Sequence, residues 1–90
     1  MDLEYLRKNI DHLDSMIISL LAKRSDLVAA AASLKKNEQG VRDPKRVEEV
    51  IAKVRATALK EGLDPAIAEA TYRTLIGCFV RKEMSLFKRS

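Results

Sequence analysis

Three charged residues stand in this sequence where an apolar residue is expected: Arg24, Lys35 and Glu83. Arg24 and Lys35 are 11 residues apart, which puts both on one face of a regular helix, roughly 16 Å apart along its axis. An unpaired cation on a buried face is very costly, so the simpler interpretation is that each finds a carboxylate or extends its stem to water. Two cations on one face, with Glu83 on a second apolar seam, favour a water-poor polar pocket inside a helix bundle.

Other residues that could carry chemistry form weaker patterns. Arg42, Lys45 and Arg46 flank the predicted start of a second helix, where free N–H groups favour an anion, but alone they indicate an exposed basic turn. With one histidine and one cysteine we expect no metal site; His12 is interpreted as a surface residue and Cys78 as a packing residue. We find neither a convincing nucleophilic triad nor a glycine-rich phosphate loop.

An apolar seam with alternating spacings of three and four residues positions the two cations. Its members are Leu3, Leu6, Ile10, Leu13, Ile17, Leu20, Arg24, Leu27, Ala31 and Leu34. This is a heptad spacing, uninterrupted by glycine or proline before Gly40. It predicts one helix from about residue 3 to about residue 36, roughly 50 Å long. Because the core of so small a chain cannot cover that length, the helix should pack against a second chain.

Two shorter helices are predicted after a break at "NEQGVRDP", residues 37–44. Asp43 suits an N-cap and Pro44 the first helical position, and Gly62 suits the end of this second helix. Asp64-Pro65 repeats the start signal for a third helix, whose seam consists of Tyr72, Ile76, Phe79, Glu83 and Leu86. No strand pattern is present. The predicted fold class is therefore all-α, with one very long N-terminal helix and two shorter ones.

The composition fits one soluble globular domain covering residues 1–90, with 47% apolar and 33% charged residues. The net charge of +4 is mildly basic. The basic residues are spread along helix faces instead of forming a patch, so no nucleic-acid partner is expected. The chain has no apolar stretch of about 18 residues, no visible signal peptide and a single cysteine. We therefore expect no membrane span and a cytoplasmic location.

The segment "LRKNIDHLDSMIISLLAKRSDLV", residues 6–28, resembles the first helix of the AroQ-type chorismate mutases, whose pattern is LR-x-x-I-D-x-L-D-x-x-I/L-x-x-L-L-x-x-R. The resemblance continues through Lys35, the "VRDPKR" turn, the "GLD" break and the third helix, and so covers nearly the whole chain. It extends equally to the isochorismate-pyruvate lyases and the aminodeoxychorismate mutases of the same superfamily.

The resemblance implies an intertwined helical homodimer with two equivalent sites, a small dianionic substrate such as chorismate, and no cofactor. Arg7 and Lys35 are 28 residues apart, about 42 Å along one helix, so they cannot touch one small molecule within a chain. The resemblance implies that Arg7 reaches into the site of the other subunit. Arg24 and that Arg7 would bind the two substrate carboxylates, and Lys35 the ether oxygen and a carboxylate.

The same resemblance implies roles for residues of the later helices. Arg46 would lie beside the site and Asp43 near the substrate hydroxyl, while Glu83 would contact the ether oxygen. Two positions depart from the family pattern and are interpreted as pocket walls. Val47 replaces a glutamate that binds the substrate hydroxyl in many chorismate mutases, and is more similar to the lyases. Phe79 replaces a small polar residue.

The predicted function is the pericyclic rearrangement of chorismate to prephenate, which serves aromatic amino acid biosynthesis in this family. Isochorismate-pyruvate lyase, aminodeoxychorismate mutase and a non-catalytic helical binding module are the alternatives. To donate a hydrogen bond to the ether oxygen, Glu83 must carry a proton. That role predicts activity that declines as pH rises through neutrality, and a Glu83→Gln variant that stays active at higher pH.

Overall fold

The computed structural model describes residues 1–35 and 37–89, except for the side chains of Gln39 and of residues 87–89. The described residues form helices and no strands: α1 (Leu3–Ala32), α2 (Glu38–Arg42), α3 (Pro44–Glu61) and α4 (Pro65–Arg89). The predicted all-α class, with one very long helix followed by two shorter ones, is confirmed. The chain divides into two compact units, residues 1–33 and residues 34–90. Each unit is described by itself.

The first unit consists of α1. Asp2 caps its N-terminus, where a side-chain oxygen accepts a hydrogen bond from the Tyr5 N–H at 2.8 Å, and Glu4 complements the dipole of the first turn. No residue of this 30-residue helix is buried. Its apolar seam is exposed, with Leu13 at 55% and Leu20 at 61% of full exposure.

The prediction that the first helix continues to about residue 36 is wrong, because α1 ends at Ala32. The Ser33 hydroxyl donates to the Ala30 carbonyl at 2.7 Å, which supplies a local alternative to further helical bonding. Lys35 therefore follows the helix instead of belonging to it. The prediction that Arg24 and Lys35 share one helix face is wrong for the same reason.

The second unit begins with an element that was not predicted. The short helix α2 lies inside the break at residues 37–44. The Asn37 side-chain oxygen accepts from the Gly40 N–H at 2.9 Å, a capping bond that starts a new helical turn. Val41 of α2 is buried, and α2 packs on α4.

The ends of α3 follow the predicted signals. The Asp43 carboxylate accepts from the Arg46 N–H at 3.2 Å, and Pro44 occupies the first turn. Asp43 has a φ of 24°, a region that non-glycine residues seldom adopt and that aspartate tolerates through local hydrogen bonds. Gly62 ends the helix in the left-handed conformation, with a φ of 77°.

The core of the second unit lies where α3 packs along α4. Asp64 starts α4 by accepting from the Ala66 N–H at 2.9 Å. The buried apolar residues of the unit are Val41, Ile51, Ala58, Ala68 and Met84. Over the described residues, the helices contain no segment long and apolar enough for a membrane crossing.

Candidate functional site

Lys35 and Glu83 form an ion pair across the second unit. The Lys35 Nζ lies 3.2 Å from the Glu83 Oε2 and donates a hydrogen bond to it. The Glu83 side chain is only 7% exposed and that of Lys35 is 28% exposed. A carboxylate this deeply buried needs a partner charge, and α4 presents it to the connector between α1 and α2. The simpler interpretation, in which the cation finds a carboxylate, is confirmed for Lys35.

An open groove of about 470 Å³ lies in the same unit. It is lined by Arg42, Pro44, Val47, Arg73, Ile76, Gly77, Val80 and Arg81. Its apolar side chains come from both α3 and α4. Along α4, spacings of four and three residues place Ile76, Val80 and Glu83 on one helix face. The groove and the ion pair therefore occupy successive stretches of the same face of α4.

The other residues proposed for the site occupy different settings. Arg46 lies at the start of α3, exposed, with its Nη1 3.6 Å from Glu49 Oε2. Asp43 uses a carboxylate oxygen to cap α3. Val47 lines the groove, whereas Phe79 is half-buried on α4 and is not part of the groove lining.

Arg7 and Arg24 belong to α1, in the first unit. Arg7 is exposed and Arg24 is half-buried. The structure thus brings Lys35 and Glu83 together within one unit. The participation of Arg7, Arg24, Arg46 and Asp43 in a common site stays a prediction.

Arginines that the sequence pattern did not single out line the groove. Neither Arg73 nor Arg81 interrupts an apolar seam of the sequence, and the sequence pattern alone predicts an exposed basic turn for Arg42. The sequence does contain a signal for two of these arginines. Arg73, Gly77 and Arg81 follow one another at spacings of four and so share a face of α4. Their relation to α2 and α3 could not be read from spacing alone.

Arg73 is the centre of a network that ties α3 to α4. Two of its guanidinium nitrogens donate to the Glu48 carboxylate, both at 3.1 Å, and its Nε donates to Glu69 Oε2 at 2.8 Å. Arg55 adds a bond to Glu69 Oε1 at 2.7 Å. Hydrogen bonds from Arg73 lower the pKa of Glu48, and hydrogen bonds from Arg73 and Arg55 lower the pKa of Glu69. The two carboxylates in turn raise the pKa of Arg73.

In the described part of the chain, no three histidine, cysteine, aspartate or glutamate side chains gather in a way that could hold a metal ion. The free cysteine, Cys78, is exposed on α4, with its Sγ 3.3 Å from an Arg81 nitrogen. What the second unit offers is a buried carboxylate paired with a half-buried ammonium, beside an apolar groove edged by guanidinium groups.

Comparison with known proteins gives the family of the chain. Residues 6–84 match the family described as chorismate mutase type II. The chain is also similar to the isochorismate pyruvate lyase of Pseudomonas aeruginosa, with 26% identity over 85 residues that cover 94% of this chain and 84% of that protein. Because the family match spans most of the chain, from within α1 to Met84 on α4, the chain belongs to the chorismate mutase type II family.

Proposed function

We propose that this protein is a chorismate mutase, which converts chorismate to prephenate by a pericyclic rearrangement without a cofactor. The observation that carries the proposal is the pair of Lys35 and Glu83, 3.2 Å apart and largely buried, in a chain of this family. The reaction needs no nucleophile. It needs the ring and its enolpyruvyl arm held in a compact geometry, a positional effect that can be large.

Lys35 is the proposed catalytic donor. As the ether C–O bond stretches, negative charge grows on the oxygen, and an ammonium placed there stabilises the transition state more than the ground state. Glu83 has two possible contributions: an ionised Glu83 orients the Lys35 ammonium, and a protonated Glu83 donates to the ether oxygen itself. The hydrogen bond that Lys35 donates to Glu83 supports the orienting role.

The carboxylates of the substrate need further cations. We propose that Arg24 and the partner subunit's Arg7 bind them, with Arg46 and Asp43 beside the ring. This requires a homodimer. The exposed apolar seam of α1 supports one, because Leu6, Ile10 and Ile17 are 43%, 54% and 52% exposed in a helix that has no buried residue. Contiguous exposed apolar surface of this kind marks an interaction site.

Isochorismate-pyruvate lyase is the second candidate, and two observations favour it. Val47 lines the groove and gives it an apolar wall where a hydroxyl-binding glutamate occurs in many chorismate mutases. The similar protein from Pseudomonas aeruginosa is an isochorismate pyruvate lyase. Such a lyase would use the same cations on a different pericyclic path, with a hydrogen transfer and loss of pyruvate.

A comparison of three substrates tests the proposal. Purified protein is incubated separately with chorismate, isochorismate and aminodeoxychorismate. Loss of chorismate absorbance with formation of prephenate is the expected result. Salicylate fluorescence from isochorismate would show lyase activity and overturn the proposed mutase activity. Failure to convert any of the three would favour a non-catalytic binding module.

The Lys35→Ala variant tests the catalytic donor. We expect kcat on the preferred substrate to fall by about 10²–10³, the usual loss when one transition-state donor is removed. Lys53→Ala is the matched control, because Lys53 is an exposed lysine of α3 that does not line the groove. Helix content measured by circular dichroism should be unchanged in both. A Lys35→Ala variant with wild-type kcat would remove Lys35 from the chemistry.

The Glu83→Gln variant separates the two roles of Glu83. Glutamine keeps an N–H donor for the ether oxygen at any pH but carries no charge to orient Lys35. If Glu83 acts as a protonated donor, the variant keeps its activity at high pH where the wild type loses it. If Glu83 orients Lys35, the variant is slower than the wild type across the whole pH–rate profile.

A further inference from the structure

The backbone of Lys35 lies between α1 and α2 and belongs to neither helix. Its side chain nevertheless reaches the buried Glu83 carboxylate of α4, with 3.2 Å between Nζ and Oε2. A lysine stem is flexible, and ordering it carries one of the largest entropy costs of any side chain. An ion pair fixes only the far end of the stem. A second contact must therefore fix the near end, since no helix does so.

Gly40 of α2 faces the near end of this stem. A Cβ built on Gly40 would lie 3.5 Å from the Lys35 Cβ and 3.8 Å from the Lys35 Cγ. A glycine inside a helix is destabilising relative to alanine. Among the described glycines, a positive φ occurs at Gly62 and not at Gly40, so the backbone of α2 does not itself require a glycine. What the bare backbone at Gly40 provides is room for the first carbons of the Lys35 stem.

The short helix α2 is held in place from two sides. The Asn37 side-chain oxygen accepts from the Gly40 N–H at 2.9 Å, and the Asn37 carbonyl accepts from the Val41 N–H at 3.4 Å. Val41 is 4% exposed, and α2 packs on α4. Because α4 also carries Glu83, both ends of the Lys35 side chain are placed with respect to one helix. The near end meets Gly40, and the far end meets the carboxylate.

We propose that Gly40 and Asn37 are positioning residues for Lys35. Asn37 keeps α2 in its helical turn, and Gly40 confines the Lys35 stem so that Nζ stays at Glu83. It follows that position 40 accepts a side chain no larger than alanine. The placement of Lys35 does not depend on the proposed function. Its use in stabilising a transition state does rest on that function.

Chemical protection of Lys35 tests the placement without any substrate. Full-length protein is treated with limiting acetic anhydride, and mass spectrometry with fragmentation measures the acetylation rate at Lys35. Lys53 of α3, which is exposed, is the internal reference. Asn37→Ala should raise the rate at Lys35 about three- to tenfold, because loss of the cap opens α2. Asn37→Ser keeps a capping oxygen without adding charge and should retain the wild-type rate.

Two substitutions of different size test Gly40. Gly40→Val puts two further carbons on a Cβ that is already in contact with the stem, and should raise the rate at Lys35 about tenfold. Gly40→Ala adds only an ordinary contact and should retain the protection. Gly62→Ala is the control for a general loss of stability, because alanine is strained at a φ of 77° outside α2. It should leave the rate at Lys35 unchanged.

A double-mutant cycle tests whether the placement serves catalysis. Gly40→Val should lower kcat on the preferred substrate by about 10²-fold, the scale expected for a misplacement of about 1 Å. In a Lys35→Ala background the same substitution should change kcat by less than about twofold, because its effect passes through Lys35. A merely structural effect of valine would lower kcat equally in both backgrounds.

Two results would overturn the positioning role. One is wild-type acetylation of Lys35 in both Asn37→Ala and Gly40→Val, and the other is an equal loss of kcat with and without Lys35. The two variants are independent, so a failure of one to fold leaves the other as the test. A protein that shows the expected order of protection but converts none of the three substrates would support the placement while removing the proposed activity.

Discussion

The two units of this chain use the same kind of apolar pattern in opposite ways. In residues 34–90, α3 and α4 cover each other, and Ile51 and Ala58 are both only 4% exposed. In residues 1–33, α1 carries the most regular seam of the sequence and buries none of it. A 3.6-residue apolar period therefore specifies a helix and a face, but not which surface covers that face.

The two units therefore differ in what they contribute to the protein. The second unit has its own core, a salt-bridged surface and the pair of half-buried Lys35 with buried Glu83. The first unit presents about 45 Å of apolar stripe along 30 residues. Transfer of that stripe from water is a large driving force for association. A second copy of the chain, as proposed above, would supply the missing surface.

The largest expected effect comes from a charge in the α1 seam. Ile17→Asp should weaken self-association about a thousandfold or more, since burying an unpaired carboxylate costs several kcal/mol. Activity should fall with it, because each proposed site needs the partner subunit's Arg7. Ser15→Asp, on the opposite face of α1, is the control. Sedimentation equilibrium measures the association. A wild-type dissociation constant for Ile17→Asp would show that this seam is not the interface.

A truncation in the core of the second unit should have the next largest effect, on the free energy of unfolding. Ile51→Ala is expected to lower the free energy of unfolding by about 2–5 kcal/mol, through lost burial and a residual cavity. Ile67→Ala, at a position 54% exposed on α4, should cost within about 0.5 kcal/mol. Urea denaturation at one fixed protein concentration compares them. Equal losses would mean that the α3–α4 core is not the stable part of the unit.

Two glycines should respond in opposite directions to the same substitution. Gly77→Ala should stabilise the protein by about 0.5–1 kcal/mol, because the new Cβ meets Arg81 Nη1 only at 3.5 Å, an ordinary contact. Gly62→Ala should destabilise it by about 1 kcal/mol, because a φ of 77° is strained for alanine. Thermal unfolding measures both. A destabilising Gly77→Ala would show that the surface of α4 at Gly77 is packed too closely to accept a Cβ.

The smallest effect concerns the exposed network around Arg73. The pKa values of Glu48 and Glu69 are lowered in the folded protein, mainly by hydrogen bonds from Arg73. Their stabilisation is therefore present above the ordinary carboxyl value of 4.5 and is lost as pH falls below it. Arg73→Gln should flatten this dependence in urea titrations between about pH 5 and pH 3. Salt should weaken the effect. An unchanged pH dependence would show that the network makes no measurable contribution to the free energy of unfolding.

Local signals in the sequence predicted much of the fold. Asp43-Pro44 and Asp64-Pro65 start α3 and α4, and Gly62 ends α3, as expected. The predicted end of α1 failed, because the seam spacing continues to Leu34 while Ser33 ends the helix with hydrogen bonds of its own. The hydrogen bond that the Asn37 side-chain oxygen accepts from the Gly40 N–H, which starts α2, is likewise a local bond that the seam spacing does not indicate.

Sequence alone determined the fold class, the three long helices, the anomalous charges of Lys35 and Glu83 and the exposed seam of α1, because periodicity and caps act over a few residues. Tertiary structure alone decided that Lys35 and Glu83, 48 residues apart, are partners. It also decided that Arg73, which is paired with glutamates, lines the groove together with Arg42 and Arg81. Those relations depend on how α2 and α3 lie against α4, and no spacing within one helix encodes them.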